Sequence, residues 1–194
     1  TIERKFRMLS AKAKALHSEY LKTFNTADVH FDEMESCEHT KLKPLSIAIA
    51  VTGESGKIID VDVAEMNCKG KLAPLSQAKY GPRKDTRKEA CESVMKSVKL
   101  VAREGVIIAS DGKKSYPAIV SRIMPNAQIT QHTRRGSEKK KEHDPLFWLN
   151  HTCAKIRADI SRMARKTWAI SKNAENLKRH LYLYIAWNNG FEMS

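Results

Sequence analysis

The stretch PLSIAIAVTGESGKIIDVDVAEM, residues 44–66, decides the fold. Residues 44–52 form a near-continuous apolar run, which predicts a central strand that is buried on both faces. Gly53 and Gly56 bracket a turn, and residues 57–66 alternate in polarity as a second strand of the same hairpin. The preceding stretch ADVHFDEMES (27–36) also alternates and predicts an earlier strand over 28–34. Together these segments predict a meander of three antiparallel strands.

Downstream of the meander, strands alternate with helices. A basic segment with two prolines and two glycines (69–88) is expected to leave the sheet. The further predicted elements are a helix at 85–105 with Gly105 as its stop, a strand at 106–110, a helix from Pro117 to Met124, a strand at 127–132, and helices at about 146–165 and 172–188. The order β-β-β-α-β-α-β-α-α predicts a mixed five-stranded sheet flanked by helices, which is the arrangement of a ribonuclease-H-like α/β domain.

The N-terminal residues predict an amphipathic helix. Apolar side chains recur three or four residues apart at Ile2, Phe6, Leu9, Ala13, Leu16, Tyr20 and Phe24. We interpret 1–25 as a helical arm and 26–190 as the ribonuclease-H-like domain. The helix is expected to pack either on that domain or on a preceding region, since the chain lacks an initiator Met.

The charge of the chain favours a polyanionic partner. Lys and Arg number 35 against 22 Asp and Glu, and the pI is near 9.7. Nucleic acid is the expected partner, and the alternative is a basic protein without one. No apolar run approaches the ~20 residues that span a membrane, and the start is not a signal peptide. Four widely spaced cysteines favour reduced thiols, so we expect a cytoplasmic protein.

Two aspartates lie at predicted strand ends. Asp32 lies on the first strand, and Asp111 follows the fourth within VIIASDG. In a mixed sheet such ends converge, and two neighbouring carboxylates repel unless a cation lies between them. Mg2+ or Mn2+ suits oxygen ligands and also binds substrate phosphates. Alternatively, either aspartate is an ordinary turn residue that binds no metal. This alternative applies particularly to Asp111, which precedes Gly112.

Three segments carry a family resemblance. DEMES…HTKLKPLSIAIAV (32–51), SDGKKSYP (110–117) and DPLFWLNHTCAKIRADISRMARKTWAISKN (144–173) resemble transposases of bacterial insertion sequences. These transposases belong to the DDE class, which has a ribonuclease-H-like catalytic domain, and the resemblance covers roughly residues 28–188. It implies Mg2+-dependent cutting of DNA at transposon ends and joining of 3′ hydroxyls to target DNA. It also implies a nucleoid-associated protein that forms a homo-oligomer on paired DNA ends.

The resemblance assigns the catalytic and metal-binding residues. Asp32 matches the first catalytic aspartate and Asp111 the second. The third position falls on Asn150 rather than on a carboxylate, as in related groups that use a D-D-N set. Asp144 and Glu142 are the alternatives for this third ligand.

The resemblance also implies DNA contacts. Arg157 holds the place of a basic residue seven positions beyond the third ligand, and seven residues return to nearly the same helix face. The expected DNA-binding residues are Arg134, Arg135, Lys139, Lys140, Lys141, Arg157, Arg162, Arg165 and Lys166. Alternatively, each of these side chains is a solvent-exposed charge that does not contact DNA. Trp148 and Trp168 are expected to pack in the core rather than to stack on a base.

Three functions compete at this stage. The first is the catalytic domain of a DDE-class transposase. The second is another ribonuclease-H-like nuclease, which would cut strands without joining them. The third is an inactive nucleic-acid-binding relic, for which Asn150 is the warning sign because it departs from the carboxylate triad.

Overall fold

The computed structural model describes residues 1–133, 144–163 and 170–193. They form an α/β fold around a five-stranded mixed sheet. The strands are β1 Thr26–Cys37, β2 Pro44–Thr52, β3 Ile58–Glu65, β4 Ala102–Asp111 and β5 Gln128–His132. The helices are α1 Ile2–Tyr20, α2 Ala73–Tyr80, α3 Arg87–Val101, α4 Tyr116–Ile123, α5 Phe147–Asp159 and α6 Ala174–Asn189, with 3-10 turns at Gly70–Leu72 and Ser161–Met163.

The strand order β3-β2-β1-β4-β5 confirms the predicted architecture. β1, β2 and β3 pair antiparallel, and Ile49 lies opposite both Asp32 and Val61. β4 joins β1 in parallel, and β5 joins β4 in parallel. The connections between parallel strands run through α3 and α4, as parallel pairing requires a crossover. The arrangement is consistent with a ribonuclease-H-like domain.

Both faces of the sheet carry a hydrophobic core. Ala48 and Ala50 face the core formed with α3 and α4. Ile47 and Ile49 face the core formed with α5 and α6. Because successive strand residues point to opposite faces, a strand covered on both sides needs an apolar residue at every position. This explains the continuous apolar run that predicted β2.

The predicted boundary between α3 and β4 is wrong. α3 ends at Val101 rather than at Gly105, and β4 begins at Ala102. Gly105 has φ +71° within the strand, close to where the β1–β4 register shifts. Positive φ is easy for glycine and is used in strand bulges as well as at helix ends. Gly105 therefore lies at an irregularity within β4. The sequence alone does not distinguish such a glycine from one that ends a helix.

Two other predictions need correction. α5 ends at Asp159 rather than near residue 165, because Ile160 adopts an extended conformation before a 3-10 turn. The segment at 69–88 leaves the sheet as predicted but contains the short helix α2, whose first turn accommodates Pro74.

The N-terminal helix α1 packs on α6. Its buried residues are Ser10, Ala13 and His17, and the Phe6 ring lies 4.4 Å from that of His180. The predicted apolar stripe is only partly buried, since Ile2 is 89% exposed. The four cysteines are free thiols. Within the described ranges, no helix combines the length and apolar character needed to cross a membrane.

Candidate active site

Asp32 and Asp111 lie on neighbouring interior strands of the sheet, with Asp111 at the end of β4. β1 continues to Cys37, past the predicted end at residue 34, so Asp32 lies within a strand rather than at its end. The two aspartates directly follow Phe31 and Ser110, which are register partners on the neighbouring parallel strands β1 and β4. Adjacent strands are about 4.8 Å apart, so residues at equivalent positions are close neighbours. Phe31 belongs to the core on the α3 side, and strand alternation turns Asp32 toward the opposite side. The predicted convergence of the two aspartates is therefore present in the fold.

The proximity of Asp111 affects the electrostatics of Asp32. Burial, followed by repulsion from Asp111, raises the pKa of Asp32 to about 6 from its ordinary value of 3.8. The Tyr116 hydroxyl donates to Asp32 Oδ1 at 3.2 Å, and the cations Lys113 and Arg157 oppose the rise. At neutral pH the site thus holds a carboxylate whose charge is poorly compensated. A bound cation would relieve that imbalance.

Helix α5 brings Arg157 toward Asp32. Leu149 and Ile156 are buried and anchor the helix against the sheet. Arg157 is exposed, yet its charge reaches both Asp32 and Cys153. The structure therefore brings the Arg157 charge close enough to Asp32 to stabilise its ionised form.

The two described candidates for the third ligand form a hydrogen-bonded pair. Asn150 Nδ2 donates to Asp144 Oδ2 at 2.8 Å, and Asp144 Oδ1 accepts from the Leu146 backbone at 3.0 Å. Both side chains are exposed at the start of α5. The amide oxygen of Asn150 is not used in this bond. Glu142, the other candidate, lies outside the described residues.

Glu33 forms a buried polar cluster that sequence reasoning missed. Its side chain is 8% exposed and forms an ion pair with Lys113. Ser46 Oγ donates to Glu33 Oε1 at 2.7 Å, and the Tyr116 hydroxyl lies 3.0 Å from Glu33 Oε2. The Tyr116 hydroxyl therefore lies between two adjacent carboxylates, those of Asp32 and Glu33. The alternation of β1, which turns residue 33 away from residue 32, was the available signal for a separate role.

Tyr116 and Lys113 connect β1 with the segment that follows β4. The Tyr116 ring is buried 4.8 Å from that of Phe31, and burial raises the pKa of Tyr116, which keeps the hydroxyl protonated. The Lys113 backbone N–H donates to Asp111 Oδ1 at 3.1 Å. These contacts connect the segment after β4 with the carboxylates of both strands.

Two histidines also lie beside the aspartates. His30 precedes Asp32 by two residues on the same face of β1, and His132 lies opposite Asp111 in the β4–β5 register. His30 is buried, with Nε2 3.8 Å from Asp28 Oδ2. Burial lowers the pKa of His30, and Asp28 opposes that shift. Neither His30 nor His132 was predicted from the sequence to belong to the site.

The remaining predicted DNA-binding residues divide into two groups. The first group lies outside the described residues and consists of Arg134, Arg135, Lys139, Lys140, Lys141, Arg165 and Lys166. Trp168 also lies outside them. Arg162 lies in the 3-10 turn after α5, where its charge adds to the effect of burial in lowering the pKa of His180. Trp148 is half-buried and packs against the core on the α5 side, as expected.

The side chains at the site supply some of the oxygen ligands that a hard divalent cation such as Mg2+ needs. Within 1–133, 144–163 and 170–193, no group of three or more His, Cys, Asp or Glu side chains is arranged to hold a metal ion. Asp32 and Asp111 supply two carboxylates, and an Asn oxygen is a further donor of the kind that Mg2+ accepts. Burial, followed by repulsion from Asp111, raises the pKa of Asp32, and a cation between the two carboxylates would oppose both effects.

No protein-family model matches the chain, and no curated protein matches it. The case for a function therefore rests on the fold, the paired aspartates and the charge around them.

Proposed function

We propose that the chain is the catalytic domain of a DNA transposase, a metal-dependent polynucleotidyl transferase that hydrolyses and rejoins phosphodiester bonds. The observation that carries the proposal is the placement of Asp111, at the end of β4, next to Asp32 on the neighbouring parallel strand β1. The resemblance of the three sequence segments to insertion-sequence transposases points the same way. A fold alone does not imply a function, so the site carries the argument.

The aspartates would hold Mg2+, or Mn2+ as a substitute, with Asn150 as the third ligand. The cation would supply activation of an attacking hydroxyl and stabilisation of the leaving oxygen. Asp144, hydrogen-bonded to Asn150, would orient the amide so that its oxygen is available.

The protein's own residues then position the nucleic acid. Arg157 would bind a phosphate oxygen next to the carboxylates, since a guanidinium matches phosphate geometry. Tyr116 would hold Asp32 in place, and Lys113 would fix the segment that carries Asp111. The net charge of +13 would bind the rest of the DNA through its backbone, with little sequence preference.

The proposal includes assembly on DNA. Transposon ends and target DNA are the proposed partners, and paired ends would bring two or more copies of the chain together. The basic segments outside the described residues, including Lys139–Lys141, would contribute to this contact. Localisation to bacterial cytoplasm at the nucleoid would follow from that function.

An inactive nucleic-acid-binding protein is the second candidate. The exposed Asn150, in place of a carboxylate, is the observation that favours it. A nuclease that cuts without joining is distinguished from a transposase by its products.

The test is a strand-transfer assay with metal. Labelled duplexes with 3′ hydroxyl ends are incubated with plasmid DNA in Mg2+, in Mn2+ and in EDTA. The transposase proposal expects metal-dependent joined products that Asp32→Asn and Asp111→Asn abolish. Asp62→Asn is the matched control, since Asp62 lies on β3 in an ion pair with Lys178. Cleavage without joining would support a nuclease, and DNA binding without either product would support the inactive protein.

A further inference from the structure

Two aromatic side chains are exposed on the side of the sheet that carries α5 and α6. Among the large apolar residues exposed in the described ranges, Phe147 and Trp187 are the aromatic ones, at 49% and 64% exposure. Phe147 begins α5, and Trp187 lies near the end of α6. A single exposed apolar residue is ordinary, whereas exposed apolar groups that cluster mark an interaction surface.

His151 and Lys155 connect the two rings into one continuous surface. Phe147, His151 and Lys155 follow one another at intervals of four residues, which makes them neighbours along the surface of α5. The rings of Phe147 and His151 are stacked, with centroids 5.6 Å apart and 13° between their planes. Lys155 Nζ lies 5.6 Å from the centre of the Trp187 ring and so reaches from α5 to α6. These four residues, Phe147, His151, Lys155 and Trp187, form the aromatic strip.

The charge beside the aromatic rings is positive. From residue 147 to residue 158 the sequence contains no Asp or Glu, but it contains Lys155 and Arg157. The contacts of Lys155 are with neutral groups, since its Nζ donates to Asn188 Oδ1 at 3.3 Å and faces the Trp187 ring. The positive charge of Lys155 is therefore available to an anionic partner.

The aromatic strip begins beside the proposed third metal ligand. Phe147 and Asn150 are three residues apart on α5 and are therefore neighbours on its surface. Through Leu149 and Ile156, α5 packs on the face of the sheet toward which Asp32 turns. A nucleic-acid strand that leaves Asp32 past Asn150 would therefore meet Phe147.

An unpaired nucleic-acid strand has the chemistry that matches the aromatic strip. Its bases stack on aromatic rings while its phosphates bind neighbouring cations. A duplex matches less well, because the faces of its bases are already stacked on one another. The eight residues from Phe147 to Lys155 rise about 12 Å along α5, which corresponds to roughly three stacked nucleotides at about 3.4 Å each.

We propose that the aromatic strip binds a short unpaired segment of the DNA strand whose phosphodiester lies at Asp32 and Asp111. Bases of this segment stack on Phe147 and Trp187, and Lys155 binds a phosphate between them. This inference rests on the proposed function for its choice of strand. It implies that the protein prefers DNA that is unpaired beside the cut.

The first test is equilibrium binding in EDTA, which is independent of catalysis. Fluorescence anisotropy compares a labelled oligo-dT with a labelled blunt duplex. Phe147→Ala and Trp187→Ala should each weaken binding of oligo-dT at least about fivefold, because each removes a ring on which a base stacks. Binding of the duplex should change much less. Phe147→Tyr, which keeps the ring, should retain the affinity for oligo-dT. Leu100→Ala, which removes a 71% exposed side chain from α3, should also retain it.

A second pair of variants tests the phosphate contact. Lys155→Met keeps the length of the side chain but removes its charge. It should reduce the slope of log K against log salt for oligo-dT by about 0.7, the value for one phosphate of a single strand. Lys96→Met, at an exposed position on α3, should leave the slope unchanged.

Three results would overturn the inference. The first is an affinity for oligo-dT that is unchanged in Phe147→Ala and Trp187→Ala. The second is an equal loss of affinity for oligo-dT and for the duplex, because the rings would then have no preference for unpaired bases. The third is a dimer that both variants dissociate in analytical ultracentrifugation while oligo-dT binding stays unchanged, which would assign the aromatic strip to a second copy of the chain.

The outcomes separate this inference from the proposed function. Strand transfer in Mg2+, with oligo-dT affinity unchanged in the two alanine variants, would refute the aromatic strip as a DNA contact and leave the transposase intact. Binding of oligo-dT that depends on Phe147 and Trp187, with no cleavage or joining in any metal, would retain the aromatic strip and refute the transposase.

Discussion

Replacing Asp32 by Asn should stabilise the metal-free protein while removing its response to metal. In the folded chain the Asp32 carboxylate is desolvated and repelled by Asp111, which raises its pKa to about 6. Asn has nearly the same shape and its oxygen can still accept from Tyr116, but it has no charge to desolvate. The ionised wild-type side chain therefore opposes folding at neutral pH, and the amide does not.

The magnitude follows from the pKa. A rise from 3.8 to about 6 corresponds to about 3 kcal/mol at roughly 1.4 kcal/mol for each pKa unit. Because the side chain is only partly buried and solvent screens its charge, we expect a gain of about 1–2 kcal/mol. For a chain of this length that gain raises Tm by about 2–8 °C.

The sign of the pH dependence is fixed by the same shift. The folded state binds the Asp32 proton more tightly than the unfolded state, so wild-type stability is full below pH 4 and falls as pH rises through about 6. The gain from Asp32→Asn should therefore be largest above pH 7 and should vanish near pH 4.

Thermal unfolding followed by circular dichroism measures this effect. Wild type and Asp32→Asn are compared in EDTA at pH 7.5 and pH 4, and then at pH 7.5 with added Mn2+. Mn2+ should raise Tm for the wild type and leave the variant unchanged. Asp62→Asn, which loses the partner of Lys178, should lower Tm or leave it unchanged. An Asp32→Asn variant that is less stable than wild type in EDTA at pH 7.5 would refute the reasoning.

Three further predictions concern the surroundings of the site. Lys113→Met leaves buried Glu33 without its ion pair and should lower the free energy of unfolding in urea by about 1–3 kcal/mol, whereas no change would show that Glu33 does not need a cation. Gly56→Ala should lower the same free energy by at least about 1 kcal/mol, because φ is +68° and the new Cβ would meet the Trp148 ring at 2.9 Å; an unchanged urea midpoint would contradict this. Arg157→Ala should weaken DNA binding and reduce the slope of log K against log salt by about one, and an unchanged slope would exclude a phosphate contact.

The sheet could be predicted from the sequence because its polarity pattern reflects burial directly. The apolar run of β2 requires a strand covered on both faces, and the alternation in polarity along β3 predicts a strand rather than a helix. The boundary at Gly105 could not be predicted, because glycine serves a helix end and a strand bulge equally well.

The candidate site was predictable only where topology controls it. Asp32 and Asp111 come together because β4 ends at Asp111 in parallel register with β1, one residue beyond the pair formed by Phe31 and Ser110. The cluster of Glu33, Lys113 and Tyr116 depends on how α4 packs against β1, which local sequence does not encode. The hydrogen bond between Asn150 and Asp144 likewise depends on side-chain conformation.

The most direct test of the proposed site is a crystal of the chain soaked in Mn2+ and measured for anomalous scattering. A peak between the carboxylates of Asp32 and Asp111, at about 2.1 Å from their oxygens, is the predicted result. An Asn150 oxygen in the same coordination sphere would establish the third ligand. The absence of an anomalous peak at Asp32 and Asp111 in millimolar Mn2+, or a peak held by other residues, would contradict the proposal that these aspartates form a catalytic metal site.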